Sequence, residues 1–352
     1  MAQQDLGGAN SKNIKVKRKD LRKQLQRAKN AKNDDYYTLL SDIEKELKHY
    51  KNHFKGKVVF CNCDDPRVSN FFHYFSYNFK QLGLKKLITT CYKNQNKELF
   101  SKEKSEKAIY LEYTGSKNQN RIPNTTEIKI KHLNGDGDFR SQECIELLKQ
   151  SDIVLTNPPF SLFREYAEQL IKYNKKFVII GNKNAITYKE IFRLIKENKL
   201  WVGAMPMGHD MLFTVPDEYA KRMVETGKAG SQYRIIDGVL YGRSPSIWFT
   251  NLDIEKRHED LILYKTYSGN EKEYPKYDQY DAINIDKVTE IPQDYNGAMG
   301  VPVTFLDKYN PDQFEILGLD DHRLTYPAWR GRGPSLKGKT IYRRIIIKNK
   351  KI

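Results

Sequence analysis

The chain has 352 residues, with 61 Lys and Arg against 44 Asp and Glu for a formal net charge of +17, and 12% of its residues are aromatic. That aromatic share supplies core material which disordered chains lack, so the charge decorates a globular protein of one large or two modest domains. No stretch approaches the roughly 18 apolar residues of a spanning helix, and Met1-Ala2-Gln3-Gln4 lacks a signal-peptide core, which argues against membrane insertion and secretion and for a cytoplasmic chain.

The first segment is a basic arm. Ten Lys and Arg stand between Lys12 and Lys32 against the single acid Asp20, and Leu21 and Leu25 give only a thin apolar stripe. Residues 1–34 therefore read as a flexible tail or a marginal helix that orders against phosphate, with Lys17, Arg18, Lys19 and Arg22 as its densest run. A charge excess of this kind points to a polyanion, because cations that neutralise phosphates release counterions. A solvated tail is the plain alternative.

From Asp35 the texture changes. Ser41-Asp42-Ile43-Glu44 has the spacing of a capping box and predicts a helix to about 52. An apolar run at 57–61, an aromatic-rich helix over 69–82 stopped by Gly83, and a second apolar run at 86–91 form a strand, helix, strand unit. After a polar stretch at 93–107 and a hairpin through Tyr113, the pattern resumes with helix 141–150, strand 152–156, helix 162–173, strand 176–181, helix 188–197 and the run 200–203. This alternation predicts an α/β fold: a mostly parallel sheet, covered on both faces, with ligands at the carboxyl ends of its strands. Beyond Gly203 the chain turns irregular apart from one apolar run at 246–250. The sheet is expected to close near Asn251, leaving an accessory module over 254–352.

The sharpest chemical signal is Asp152-Ile153-Val154-Leu155-Thr156-Asn157-Pro158-Pro159-Phe160, a buried strand that delivers Asn-Pro-Pro-Phe just before a helix. An exocyclic amine conjugated into a purine is a poor nucleophile. A side-chain amide oxygen and a backbone carbonyl that accept its two hydrogens return electron density to nitrogen, which is what Asn157 and the Pro158 carbonyl can do. The two prolines fix φ and keep the turn from relaxing into helix, and Phe160 can stack on a base. A strand-ending Pro-Pro turn with an Asn cap is the competing reading. The first strand-to-helix turn, Cys61-Asn62-Cys63-Asp64-Asp65-Pro66, carries no glycine between Phe60 and Leu82, which excludes a phosphate cradle and leaves Asp64 or Asp65 for a ligand ammonium. The second strand ends at Thr90-Cys91-Tyr92 without a ribose-binding acid, so Tyr92 or its neighbours take that place. Asp138 and Phe139 suit an adenine, a carboxylate for its amino group and a ring for its face; an Asx turn capping the next helix explains them equally well. His209 without a second ligand, and four cysteines without metal spacing, assign no metal.

Taken together, Tyr36-Tyr37-Thr38, the segment around Ser41 to Leu47, Cys63-Asp64-Asp65-Pro66, Asp138-Phe139-Arg140, Thr156-Asn157-Pro158-Pro159-Phe160 and Trp248-Phe249-Thr250-Asn251-Leu252-Asp253 resemble the EcoRI-type adenine-specific DNA methyltransferase family. The resemblance implies an S-adenosylmethionine-dependent, Rossmann-like catalytic domain over 35–253 with a target-recognition region over 254–352. It implies methyl transfer to the 6-amino group of adenine in double-stranded DNA by base flipping, inside a bacterial restriction-modification system that can include a cognate restriction endonuclease. Carried over by position, Asn157, Pro158, Pro159 and Phe160 are catalytic, and Tyr37, Thr38, Asp64, Asp65, Pro66, Tyr92, Asp138 and Phe139 face the cofactor. Arg330 and Arg332, beside Trp329 and mobile glycines, join the basic arm as nucleic-acid contacts, with Arg343 and Arg344 nearby. Two alternatives stand beside this: a non-catalytic nucleic-acid binder on the same fold, and an amino methyltransferase for RNA adenine or DNA cytosine.

Overall fold

The computed structural model describes residues 37–63, 69–91, 108–116, 129–209, 211–215, 217–227, 229–320 and 334–352, and Tyr37–Ile352 is one compact unit. The basic arm, with Lys17, Arg18, Lys19 and Arg22, and Asp64, Asp65, Pro66, Tyr92, Arg330 and Arg332 lie outside the described residues.

In chain order the first elements are β1 (Tyr37–Thr38), α1 (Leu40–Leu47), β2 (Val58–Cys61), α2 (Asn70–Tyr77), α3 (Phe79–Leu82), β3 (Lys86–Thr90), β4 (Ile109–Tyr113), β5 (Lys129–His132), α4 (Gln142–Gln150), β6 (Ile153–Thr156), α5 (Phe163–Lys172), β7 (Lys176–Asn182), α6 (Lys189–Lys196) and β8 (Trp201–Val202). They continue with β9 (Met211–Thr214), α7 (Asp217–Thr226), β10 (Tyr233–Ile236), β11 (Val239–Ser244) and β12 (Ser246–Thr250). The C-terminal part adds β13 (Ile283–Asn284), β14 (Met299–Pro302), β15 (Phe314–Leu319), β16 (Ser335–Leu336), β17 (Lys339–Thr340) and β18 (Arg344–Asn349).

The central sheet has eight strands in the order β5-β4-β3-β2-β6-β7-β12-β8. β3, β2, β6 and β7 pair in parallel, and antiparallel β4 and β12 flank them. With β5 and β8 reversed again at the two edges, six of the eight strands run one way, the mostly parallel sheet expected of the alternation. The parallel strands are centred on apolar runs because helices cover them; β2 and β6 have no exposed residue. The Asp152 carboxylate accepts the Val58 amide at 2.8 Å and ties the starts of these two strands together. Asn251 closes the β7 end: its Oδ1 accepts the Phe177 amide at 2.8 Å and its Nδ2 donates to the Lys175 carbonyl.

Three local readings are corrected. The capping box does not form: the residue preceding α1 is Leu39, with no side-chain cap, and Ser41 already lies inside the helix. Glu46 is drawn into the core instead, and the chain beyond Leu47 tightens into a 3-10 turn, Lys48–His53. The aromatic helix is broken at Asn78 into α2 and α3, where the Asn78 side chain donates to the Tyr74 carbonyl at 2.8 Å. Its stop at Gly83 holds, in the left-handed conformation with φ 64°. The irregular stretch after Gly203 is a second sheet, ordered β1-β9-β11-β10. It escapes sequence reading because its partners are far apart: Tyr37 pairs with Thr214.

Residues 254–352 build a four-stranded sheet, β13-β14-β18-β15, and the short β16–β17 ribbon. β15 packs against α6, and one contiguous core joins Phe60, Val154 and Phe177 of the central sheet to Met299, Phe314 and Ile345 of the C-terminal one. No described helix is long and apolar enough to cross a membrane.

Candidate active site

Asn157 is the first residue after β6, so the parallel sheet delivers it at the carboxyl edge where the loops after β2, β3 and β7 also end. Asn157, Pro159 and Phe160 are half-buried and Pro158 is buried. The Asn157 side-chain oxygen itself is shielded from solvent. The Pro159 carbonyl accepts the Leu162 amide at 2.9 Å and starts a 3-10 turn, Phe160–Leu162, that leads into α5. The prolines thus separate strand from helix, and the Pro158 carbonyl points from a turn with fixed φ.

A brace the sequence reading missed fixes this tetrapeptide against the first strand. Thr156 Oγ1 donates to the Asn62 carbonyl, and Tyr166 of α5 donates through its hydroxyl to Asn62 Oδ1. Thr156 is fully buried, Tyr166 is 1% exposed and Asn62 4%. Asn62 is the residue after β2, so the loop that follows β2 and the strand that carries Asn157 share one buried polar knot. The readable signal was the Asn between two cysteines at a strand end, overshadowed by the acids that follow it.

Thr38 joins the same edge from an unexpected direction. The Asn70 side chain, at the first turn of α2, donates to the Thr38 carbonyl at 2.8 Å, and Ser69 caps that helix through its hydroxyl. The Tyr37-Thr38 strand is therefore held at the start of α2 although 19 residues separate Thr38 from β2. The Thr38 and Thr90 hydroxyls are buried and neither has a hydrogen-bond partner among the described residues. Buried unsatisfied hydroxyls on the carboxyl side of a parallel sheet fit a polar ligand that completes them, and S-adenosylmethionine, with a ribose and an amino acid portion, has groups of that kind.

The Gly137 loop closes the far side. Gly137 has φ 78° and lies so close to the Cys91 carbonyl that any side chain would collide with it, which seats residues 136–139 on the end of β3. Asp138 forms an Asx turn to the Arg140 amide at 2.9 Å and a two-pronged ion pair with the Arg140 guanidinium, at 2.9 and 2.7 Å. Phe139 is 5% exposed, edge-on to Tyr166 at 5.0 Å between centroids. The next helix is capped by Ser141, whose hydroxyl accepts the Cys144 amide. Asp138 thus presents a carboxylate oriented by Arg140, and Phe139 anchors the loop in the core.

The placement of Arg344 is a correction. Arg344 is buried, and its guanidinium bonds to Asn284, Asp286 and the Tyr342 carbonyl, so it holds the C-terminal sheet together instead of facing outward. His209 lies 3.7 Å from the buried Asp42 carboxylate. No group of three His, Cys, Asp or Glu side chains suited to a metal occurs among the described residues.

With this geometry in place, the chain can be compared with known proteins. A family model described as adenine-specific methyltransferase EcoRI matches residues 24–350. The Type II methyltransferase M.EcoRI of Escherichia coli is 51% identical over 337 residues, covering 94% of this chain and 97% of that protein. The Type II methyltransferase M.MpnI of Mycoplasma pneumoniae is 40% identical, covering 92% of this chain and 97% of that protein. No solved structure matches the chain at significance.

Proposed function

The chain belongs to the EcoRI family of adenine-specific methyltransferases, and we propose that it moves a methyl group from S-adenosylmethionine to the 6-amino group of adenine in double-stranded DNA. The observation that carries this reading is the seat of Asn157-Pro158-Pro159-Phe160 at the carboxyl end of β6, knotted through Thr156 and Asn62 to the end of β2. The bound cofactor supplies an electrophilic methyl on a sulfonium. The chain presents the acceptor to it. Asn157 Oδ1 and the Pro158 carbonyl accept the two amine hydrogens, which restores density at nitrogen as the N–C bond forms and the methyl's bond to sulfur breaks; one of the two hydrogens then leaves to water as a proton, and Phe160 stacks on the ring. Transfer is direct, so no protein nucleophile is needed. A paired adenine is out of reach inside the duplex, and extruding it costs a few kcal/mol that stacking and phosphate contacts return.

In this reading Tyr37, Thr38, Asp64, Asp65 and Pro66 hold the methionine end. Tyr92 and the Thr90 hydroxyl meet the ribose, and Asp138 recognises the adenine of the cofactor from a loop that the buried Phe139 anchors. Residues 35–253 carry the chemistry and 254–352 the recognition of the target. Lys17, Arg18, Lys19 and Arg22 of the arm, with Arg330 and Arg332, grip phosphate without sequence preference. The setting is the bacterial cytoplasm, with or without a paired endonuclease.

The test is methyl incorporation from labelled S-adenosylmethionine into unmethylated duplex DNA, followed by nucleoside analysis. N6-methyladenine is the expected product, and label found only in RNA or on cytosine overturns the substrate assignment. Asn157→Ala should lower kcat by about 10²–10³-fold, the loss seen when one preorganised hydrogen-bond partner of a transition state is removed, with DNA affinity nearly unchanged.

A further inference from the structure

The β10–β11 hairpin breaks the rule that an exposed ribbon is polar outside. Its two strands pair Tyr233 with Gly242, Arg234 with Tyr241, Ile235 with Leu240 and Ile236 with Val239. The turn between them, Asp237-Gly238, has φ 51° and 79°, the two-residue geometry that matches strand twist. Ile235 is 61% exposed, Ile236 43% and Val239 51%. By register Ile235 and Leu240 share one face of the ribbon and Ile236 and Val239 the other, so the tip is apolar on both sides. β10 is also the edge strand of its sheet, where unprotected isoleucines invite aggregation and natural proteins place charge instead. Something covers this tip when the protein works.

The root of the hairpin identifies the cover. β11 ends at Ser244, Pro245 accepts the Lys183 amide at 2.7 Å, and Ser246 pairs with Asn182, the last residue of β7. β7 is the neighbour of β6, so the ribbon springs from the edge of the sheet that carries Asn157. The base is rigid: the Arg243 amide donates to the Gln232 carbonyl, the Gly230 amide to the Tyr233 carbonyl, and the Arg243 guanidinium to the Gly230 carbonyl. From Ser244 to Val239 the strand spans on the order of 17 Å at about 3.4 Å per residue, comparable with the width of a duplex. Arg234 lies beside the apolar tip on the face shared with Ile236 and Val239. A two-stranded ribbon fits a DNA groove, and apolar side chains at its end can enter between base steps.

Resting on the methyltransferase reading above, we infer that the 233–244 hairpin is a duplex-DNA-binding element whose Ile235, Ile236 and Val239 wedge into the base stack beside the target adenine. The cation at its flank meets phosphate, and the apolar tip replaces stacking lost when the adenine leaves the helix. A protein partner seated on the same tip is the competing occupant.

Two measurements on the full chain decide the matter. In the first, Ile235→Trp places a reporter at the tip, and sheared duplex DNA is titrated in, with the unsubstituted protein subtracted. Most of the added emission should be quenched by stacking, and emission that stays constant while the DNA binds overturns the proposal even if no methyl transfer is ever seen. In the second, Ile235→Ser, Ile236→Ser and Val239→Ser are combined; all three residues are exposed, so the melting temperature should hold. kcat/KM on duplex DNA should fall by roughly tenfold to a hundredfold, the scale of a lost base-stacking contact. Much of that loss should return on a duplex whose target adenine faces an abasic site and is already loosened. Unchanged kinetics of this variant, beside an active parent, overturn the wedge and leave the methyltransferase reading intact.

Discussion

Cys63 shows how one residue can replace a missing glycine. The loop after β2 contains no glycine, yet Cys63 adopts φ 71°, a left-handed conformation that costs a side-chain-bearing residue strain. A buried knot holds Asn62, the residue just before it, and the positive φ falls on Cys63. The absence of glycine was readable; the strained residue was not, because φ is imposed by neighbours that the linear pattern does not show. Cys63→Gly should fold with a melting temperature at or above that of the parent. Cys63→Val should lose about 1–3 kcal/mol in urea unfolding and bind S-adenosylmethionine more weakly by calorimetry, since a β-branched side chain is poorly tolerated there. Equal stability of the two variants would refute the strain argument.

At the scale of elements, the strand-helix alternation from β2 to β8 was legible because buried parallel strands are continuous apolar runs and their helices end on recognisable caps such as Ser141 and Gly83. The segment that follows β8 was opaque, since its order depends on buried and half-buried titratable groups from remote parts of the chain. Glu46 of α1 is wholly buried, accepts the Ala204 and Met205 amides at 2.8 Å each, and accepts the Tyr50 hydroxyl at 2.6 Å. Lys256 donates to the Gly203 and Ala204 carbonyls, and Asp307 takes the Met207 amide at 2.9 Å. This clamp sets the path into β9, and through β9 the position of Tyr37 and Thr38. Burial pushes the Glu46 carboxyl above its ordinary range, lifts Asp307 likewise and lowers Lys256, so desolvation outweighs attraction throughout. A carboxyl whose folded pKa is raised stabilises most below its unfolded value, and that contribution fades as pH climbs through the folded pKa. Glu46→Gln keeps one acceptor but turns an amide NH2 toward a backbone N–H, so it should destabilise by roughly 1–3 kcal/mol. The gap between the parent and the variant should narrow as urea unfolding is repeated from pH 4.5 upward; a gap that widens would show that the ionised carboxylate is the favoured state.

Viewed as a whole, the molecule joins its central and C-terminal sheets through apolar packing. The buried residues Ile191, Phe192, Leu194 and Ile195 leave α6 nearly without a polar inner face, and the core they enter contains Phe305, Phe314, Ile316 and Ile345 from the C-terminal sheet. Lys196 adds a hydrogen bond to the Leu317 carbonyl at 2.7 Å, across the same contact. Compositional shift near Asn251 marks where the central sheet ends, but it says nothing of whether the next strands have a core of their own, because apolar residues carry no label for the surface they bury against. Here they share one. The described body should therefore unfold in a single cooperative step, since neither sheet can lose its packing and leave the other covered. Phe314 is fully buried and meets Phe305 edge-on at 5.2 Å, in the C-terminal sheet and far along the chain from Asn157. Phe314→Ala should cost about 3–5 kcal/mol. Near-ultraviolet circular dichroism, which follows aromatic packing throughout, and S-adenosylmethionine binding, which follows the catalytic edge, should lose signal at the same urea concentration, shifted together by the substitution. A variant in which cofactor binding survives beyond the loss of C-terminal packing would instead show two independently stable halves, and the shared core would have to be read as mere contact.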